Sequence, residues 1–360
     1  MEINECRKRV LVLEDGIDGH LSQSKFIAET IADLLSNKSI TTELYYVRVE
    51  FKNRLYKYIT LFISKLIVRY YSRLYVVYLN AVLTKDTYRK LMNLSSDYVV
   101  SFGSTLTAVN FILAQRNISK SIAHFVPNLA DTDRFDLVIM FQHDKIQPKE
   151  NIVFTEGALN IIQPLYLKKC SEEMISVLNL ESNCAGDCLG LLIGGHTEGF
   201  HLDETMILEV IRQAKAVSGK RMIHILVTTS RRTSVKLEQL IKKEFYNYPF
   251  CKVVIIANEK NYHFAVGGIL GLSRLVIVSP DSVSMISEAV TSGRQVLVFK
   301  PKSISDRHLR FLDNFSENKY IKLCEVESIG RTIEDIWDKG IQVNPLEDRT
   351  TIEGALKKIL

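Results

Sequence analysis

Paired cysteines are missing from this chain. Its six cysteines, Cys6, Cys170, Cys184, Cys188, Cys251 and Cys324, show neither the spacing of a disulfide framework nor the double knuckles of a zinc site. Cys184 and Cys188 stand close together, but no second Cys or His pair has ligand spacing, so no metal is expected. No signal peptide pattern precedes the first apolar run at Val10 to Leu13, which places the expected location in a reducing cytoplasm. Short-period repeats and low-complexity segments are absent too. What remains is a 360-residue chain, 46% hydrophobic and 24% charged, with the composition of a globular protein and the length of two domains.

Acidic residues are absent from one stretch. Residues 51–85 carry Lys52, Arg54, Lys57, Lys65, Arg69, Arg73 and Lys85 with no Asp or Glu, so this segment alone exceeds the net charge of +5. It also holds six of the fifteen tyrosines. Lys65, Arg69 and Arg73 recur every four residues, along one side of a helix, leaving Leu61, Phe62, Leu66, Ile67 and Val68 elsewhere on its surface. Charges interrupt the stretch too often for it to span a bilayer. Two readings stay open: an interfacial helix making a peripheral membrane contact, and a core-facing helix with a solvated basic stripe. No nucleic-acid recognition module accompanies the charge, so nucleic acid is not an expected partner.

Apolar runs alternate with helix-like segments in the manner of parallel α/β layers. Strands are expected at Val10 to Leu13, Thr42 to Val49, Tyr98 to Ser101, Ser121 to Val126, Leu137 to Met140 and Ile152 to Thr155. After a polar change of character the alternation restarts, with strands at Leu189 to Ile193, Ile223 to Thr228, Val253 to Ile256, Leu275 to Val278 and Gln295 to Phe299. The expected organisation is two doubly wound Rossmann-type domains facing each other across a cleft: 1–165, a linker at 166–187, and 188–360. Open sheets of this kind place ligands beyond the carboxyl ends of their strands.

Polar clusters fall at those strand ends. "LLIGGHTEGF" brings Gly194 and Gly195, which permit close backbone approach. "LVTTSRRTS" brings Ser230, Arg231, Arg232 and Thr233; two guanidinium forks beside hydroxyls suit phosphate oxygens. "SPDSVSMISEA" brings Asp281, Ser282 and Ser284 to a helix start, where unpaired N–H groups favour an anion, with Glu288 one turn on. Helix capping by Asp281 or Ser282 is the competing account of that turn. In the first half, "LEDGIDGH" carries Asp15, Gly16, Gly19 and His20 in a loop lacking both the dinucleotide fingerprint and the Lys-Ser/Thr of a P-loop, which speaks against NAD and ATP cradles. His20 is the candidate general base; His143 and Asp144 of "FQHDK" supply a second polar pair, with Asp144 the alternative base.

Taken together, "DGIDGHLSQ", "FDLVIMFQHD", "NIVFTEGALN", "LLIGG", "VTTSRRT" and "SPDSVSMISEAVTSGRQV" resemble the Elm-type mitochondrial fission family, over most of residues 10 to 300. Bacterial members of that family are usually described as glycosyltransferases of the two-Rossmann-domain GT-B type. The resemblance implies a nucleotide diphosphate sugar as donor, no cofactor and no metal, and a cell-envelope glycan or lipid-linked acceptor. It implies that Ser230, Arg231 and Arg232 contact the nucleotide or diphosphate. Ser282, Ser284 and Met285 would line the phosphate turn, Glu288 would meet the ribose, and Gly16, Gly19 and His20 would lie on the acceptor side. The family's association with organelle division implies a second possibility, a catalytically silent scaffold recruiting a partner at a membrane surface.

Overall fold

The computed structural model of the protein describes residues 7–63, 73–125, 132–144, 146–180, 186–197 and 200–360. They form two compact units, 1–159 with 347–360 and 160–346.

The first unit runs β1 (Arg7–Glu14), α1 (Asp18–Ser36), β2 (Thr41–Arg48), α2 (Arg54–Ile63), α3 (Arg73–Val82), α4 (Lys85–Asn93), β3 (Tyr98–Phe102), α5 (Thr107–Asn117), β4 (Lys120–His124), β5 (Leu137–Phe141) and β6 (Ile152–Thr155). Its sheet has the order β2-β1-β3-β4-β5-β6, and every pairing is parallel. Parallel sheets are covered on both faces, so central strands such as Tyr98–Phe102 and Leu137–Phe141 are buried along their whole length. Alternate residues of β1 feed separate cores: Val10 and Val12 one, Leu11 and Leu13 the other.

The second unit runs α6 (Pro164–Leu178), β7 (Cys188–Ile193), α7 (Glu204–Arg221), β8 (Ile225–Thr229), α8 (Val235–Phe245), β9 (Cys251–Ile255), α9 (Ala265–Leu272), β10 (Ser273–Val278), α10 (Val283–Thr291), β11 (Gln295–Phe299), α11 (Asp306–Glu317), β12 (Lys322–Cys324) and α12 (Ile329–Lys339). The sheet order is β12-β11-β10-β7-β8-β9, again parallel. Strand order reverses between β7 and β10 here and between β1 and β3 in the first unit. Those two crevices are where doubly wound sheets receive ligands.

The expected domain limits are corrected in two places. The segment read as the start of a linker is α6, packed on α9 so closely that a Cβ on Gly268 would lie 2.7 Å from Met174 Cε and one on Gly271 would lie 2.0 Å from Ser171 Oγ. Three glycines in α9 let the helices approach, and Met174 is fully buried there. The last helix, α13 (Asp348–Lys357), belongs to the first unit: Ile352 and Leu356 complete its core, and Asp348 accepts the N–H groups of Glu156 and Gly157 at 2.8 Å each. Burial pushes the Asp348 carboxyl up to about 6 despite those two bonds.

Lys65, Leu66, Ile67, Val68 and Arg69 of the predicted basic stripe, the side chain of Arg73, Val126, Cys6 and Cys184 lie outside the described residues. No described helix is long and apolar enough to cross a membrane.

Candidate functional site

At the switch point of the second unit, three strand ends are tied together by one buried carboxylate. Asp281, 3% exposed, follows β10 and accepts the Gly195 N–H at 2.9 Å, the Ser279 hydroxyl at 2.7 Å and the Arg232 guanidinium at 3.2 Å. Ser279 Oγ in turn takes the Gly194 N–H at 2.7 Å. The amides of Gly194 and Gly195 are therefore committed to the protein. Their missing side chains matter for packing: a Cβ on Gly194 would meet the Asp281 carboxylate at 2.2 Å, and one on Gly195 the Arg232 carbonyl at 2.0 Å. The phosphate-binding role expected of Gly194, Gly195 and Asp281 gives way to a positioning one, because the atoms that would do the binding already have partners.

The Ser-Arg-Arg-Thr turn after β8 is preformed. Ser230 Oγ accepts the Arg232 N–H at 3.1 Å, Thr233 N–H donates to the Ser230 carbonyl at 3.0 Å, and Thr233 Oγ1 accepts the Ser230 N–H at 3.0 Å while donating to the Gly194 carbonyl. Arg232 is thereby presented with its side chain 44% exposed and one nitrogen anchored on Asp281. Arg231 is exposed beside it.

Ser282 caps α10 by accepting the Met285 N–H at 3.3 Å, and Met285 itself packs into the core. Capping leaves the N–H groups of Val283 and Ser284 with no acceptor among the described residues. Glu288 follows Ser284 by one turn, on the same side of α10. It keeps some solvent contact, has no hydrogen-bond partner for its carboxylate among the described residues, and is enclosed enough that burial pushes it up to about 7. Two neighbours escaped the sequence reading. Tyr166 of α6, its phenol raised by burial, lies within the field of Glu288. His308 of α11 hydrogen-bonds the Pro280 carbonyl, lies near Asp281 and Arg232, and is held below its usual range by burial.

The switch point of the first unit is built from rings. His20 Nδ1 lies 2.8 Å from Asp15 Oδ2, and Asp15 Oδ1 accepts the Ile17 N–H at 3.1 Å. Burial alone would raise the Asp15 carboxyl, but the bond and charge of His20 outweigh it and hold the group below the ordinary carboxylate value. His20 stacks on Phe102 at 4.2 Å between centroids, Phe102 meets His124 at 4.5 Å, His124 meets Phe141 at 5.2 Å, and Phe141 stacks on His143 at 5.2 Å. This row of five rings runs across the carboxyl ends of β1, β3, β4 and β5. Gly103 needs its glycine for a backbone turn at φ +88°, with its N–H on the His124 carbonyl at 2.9 Å. Gly16 adopts φ +84° and Gly19 lies in the first turn of α1, so these glycines shape the loop that carries His20.

The structure thus joins Asp15 to His20, where the sequence offered His143 with Asp144 as the histidine–carboxylate pair. His143 Nε2 stands 4.0 Å from Asp144 Oδ1, beyond hydrogen-bond distance, and both side chains are almost wholly buried. The pair expected at His143 and Asp144 is therefore not hydrogen-bonded to itself and is largely enclosed by the protein. His124 went unread because a lone histidine ending a strand carries no motif. The residue is 1% exposed, neither ring nitrogen has a partner among the described residues, and burial followed by the nearby His20 drives it down to about 3.

Two doubly wound parallel sheets define the GT-B fold. The chain matches the Methanocaldococcus jannaschii UDP-GlcNAc 2-epimerase with a TM-score of 0.56 at 10% identity, covering 98% of this chain and 99% of that one. It matches the Neisseria meningitidis UDP-GlcNAc 2-epimerase bound to UDP-GlcNAc with a TM-score of 0.54 at 10% identity, and Acinetobacter baumannii MurG with 0.52 at 10%, each over 98% of this chain and 99% of the other. At such identities the likeness is one of fold. The chain belongs to the family Mitochondrial fission ELM1, which it matches over residues 19–358. An uncharacterised protein of Rickettsia prowazekii is 24% identical over 185 residues, 51% of this chain and 49% of that protein, so the match spans about half of the relative's length.

Proposed function

We propose that the protein is a glycosyltransferase that moves a sugar from a nucleotide diphosphate sugar to a cell-envelope glycan or lipid-linked acceptor. The observation that carries this reading is the second unit's switch point, where Arg232 is fixed by Asp281, and two first-turn N–H groups of α10 and the Glu288 carboxylate have no partner among the described residues. That set suits a diphosphate and a ribose diol. In this reading Arg232 and the α10 N-terminus stabilise the charge gathering on the departing diphosphate. His20, with Nδ1–H held by Asp15, takes the acceptor hydroxyl's proton on Nε2 as the oxygen bonds to the anomeric carbon and that carbon's bond to the diphosphate breaks. A peripheral membrane contact through residues 51–85 belongs to the same reading.

One observation favours a non-catalytic scaffold instead: the Gly194 and Gly195 amides, which a nucleotide loop would spend on phosphate, are bonded within the protein. Thermal unfolding with a panel of nucleoside diphosphates and their sugars decides between them. A ligand at about a hundred times its Kd stabilises by about 2.7 kcal/mol. Arg232→Ala should weaken binding about 10- to 100-fold, removing about half or more of that gain, and Arg231→Ala should weaken it less. Absence of stabilisation by every nucleotide would favour the scaffold.

A further inference from the structure

The outward faces of α2 and α3 are apolar where a solvated helix would be polar. Along α2, Leu55, Tyr58 and Phe62 form one stripe and are 64%, 67% and 62% exposed; along α3, Leu74 and Val77 are 73% and 63% exposed. Their inner faces are separately filled. Thr60, Leu79 and Val82 are buried, both helices pack on α5, and Lys52 Nζ donates to the carbonyls of Asn80 and Ala81 at 2.8 and 2.7 Å. The hairpin is therefore held with its apolar stripe outward.

Charge narrows what that face fits. The whole 51–85 segment carries seven Lys or Arg and no acidic residue. Aliphatic and tyrosine side chains on helices of ten residues each, in a sequence segment that bears cations and no acid, match the headgroup boundary of an anionic bilayer. The positive charge of Lys57, on α2, helps to lower the Asp15 carboxyl, so the hairpin stands beside the His20 site.

We infer that the α2–α3 hairpin docks flat on an anionic lipid surface, seating Leu55, Tyr58, Phe62, Leu74 and Val77 at the boundary between headgroups and acyl chains. Docking in this way presents the His20 site to acceptors carried by that surface. This last clause rests on the transferase reading, whereas the docking does not.

The full chain is sedimented with vesicles of phosphatidylcholine and with vesicles in which a third of the lipid is phosphatidylglycerol. Binding is expected to the anionic vesicles only, to weaken with salt, and to fall at least about tenfold in Leu55→Asp and Val77→Asp, whose exposed positions leave the melting temperature unchanged. Arg54→Gln with Lys85→Gln should lower the preference for anionic lipid. Sedimentation with neither vesicle, equal binding to both, or undiminished binding by the Asp variants would overturn the inference, as would self-association through this face, which would make a second copy its occupant. Nucleotide-dependent stabilisation measured on Leu55→Asp separates the two proposals: lost lipid binding with retained nucleotide binding is expected, and lipid binding by a wild-type chain that takes no nucleotide leaves the docking standing and removes the transferase.

Discussion

At the second unit's switch point the polar groups are a guanidinium locked on a buried carboxylate, helix amides and hydroxyls; at the first unit's, they are imidazoles spaced by phenyl rings with one carboxylate on His20. Both sheets are parallel, six-stranded and reverse their strand order once, so the chemical difference lies in the loops that follow the strands. A guanidinium suits an anion that must be gripped throughout a cycle, because it is permanently charged as a class. An imidazole can pass a proton, and only His20, 30% exposed and bonded to Asp15, retains the solvent contact to do so. His124, one ring away from Phe102, is neutral by burial. The same architecture thus separates permanent charge from exchangeable protons.

The largest effect should come from breaking the proton-transfer half. His20→Ala is expected to lower kcat for release of nucleotide from the donor sugar about 10²- to 10⁴-fold with donor KM unchanged. Asp15→Asn should give a smaller loss in the same parameter. A fall in donor affinity alone would place His20 in binding instead.

Glycines sharpen the contrast between the loops. Gly195→Ala drives a Cβ to 2.0 Å from backbone, which no rotamer can relieve, and should cost about 3 kcal/mol in denaturant unfolding. Gly103→Ala has 3.7 Å of room and only the strain of φ +88°, so about 1 kcal/mol is expected. Equal costs would show that the second unit's loop is less tightly packed than its geometry.

An effect smaller than that of Gly195→Ala concerns Glu288. Its folded-state carboxyl lies above the ordinary 4.5, at about 7, so between those values the folded chain binds more protons than the unfolded one. Stability therefore falls as pH rises through that window. Glu288→Gln should remove about 1–2 kcal/mol of this fall and raise the melting temperature above pH 7. Comparing the variant with the parent at each pH cancels Asp348, whose carboxyl is also raised and acts in the same direction. An unchanged pH profile would mean that Glu288 ionises freely.

The alternation of strands and helices was legible because strands buried on both faces leave uninterrupted apolar runs; Gln295–Phe299 was read to the residue. Lys322–Cys324 was not legible, being three residues long and below any periodicity. The stretch from Leu165 reads as a polar helix, but its buried stripe of Leu167, Cys170 and Met174 is hidden among lysines and glutamates. The strand-end loops could be found from sequence, but the use of their atoms could not. That Asp281 faces inward and Asp15 faces His20 depends on side-chain direction, which a one-dimensional pattern does not carry.

The placement of α13 bears on how the chain is made. Synthesis proceeds from the first residue, so all of residues 160–346 leave the ribosome before Ile352 and Leu356 are available to the first unit's core. Each of those side chains contributes about 1.5–3 kcal/mol when buried. The unit begun first is thus closed last, by two residues made after the whole of the second unit.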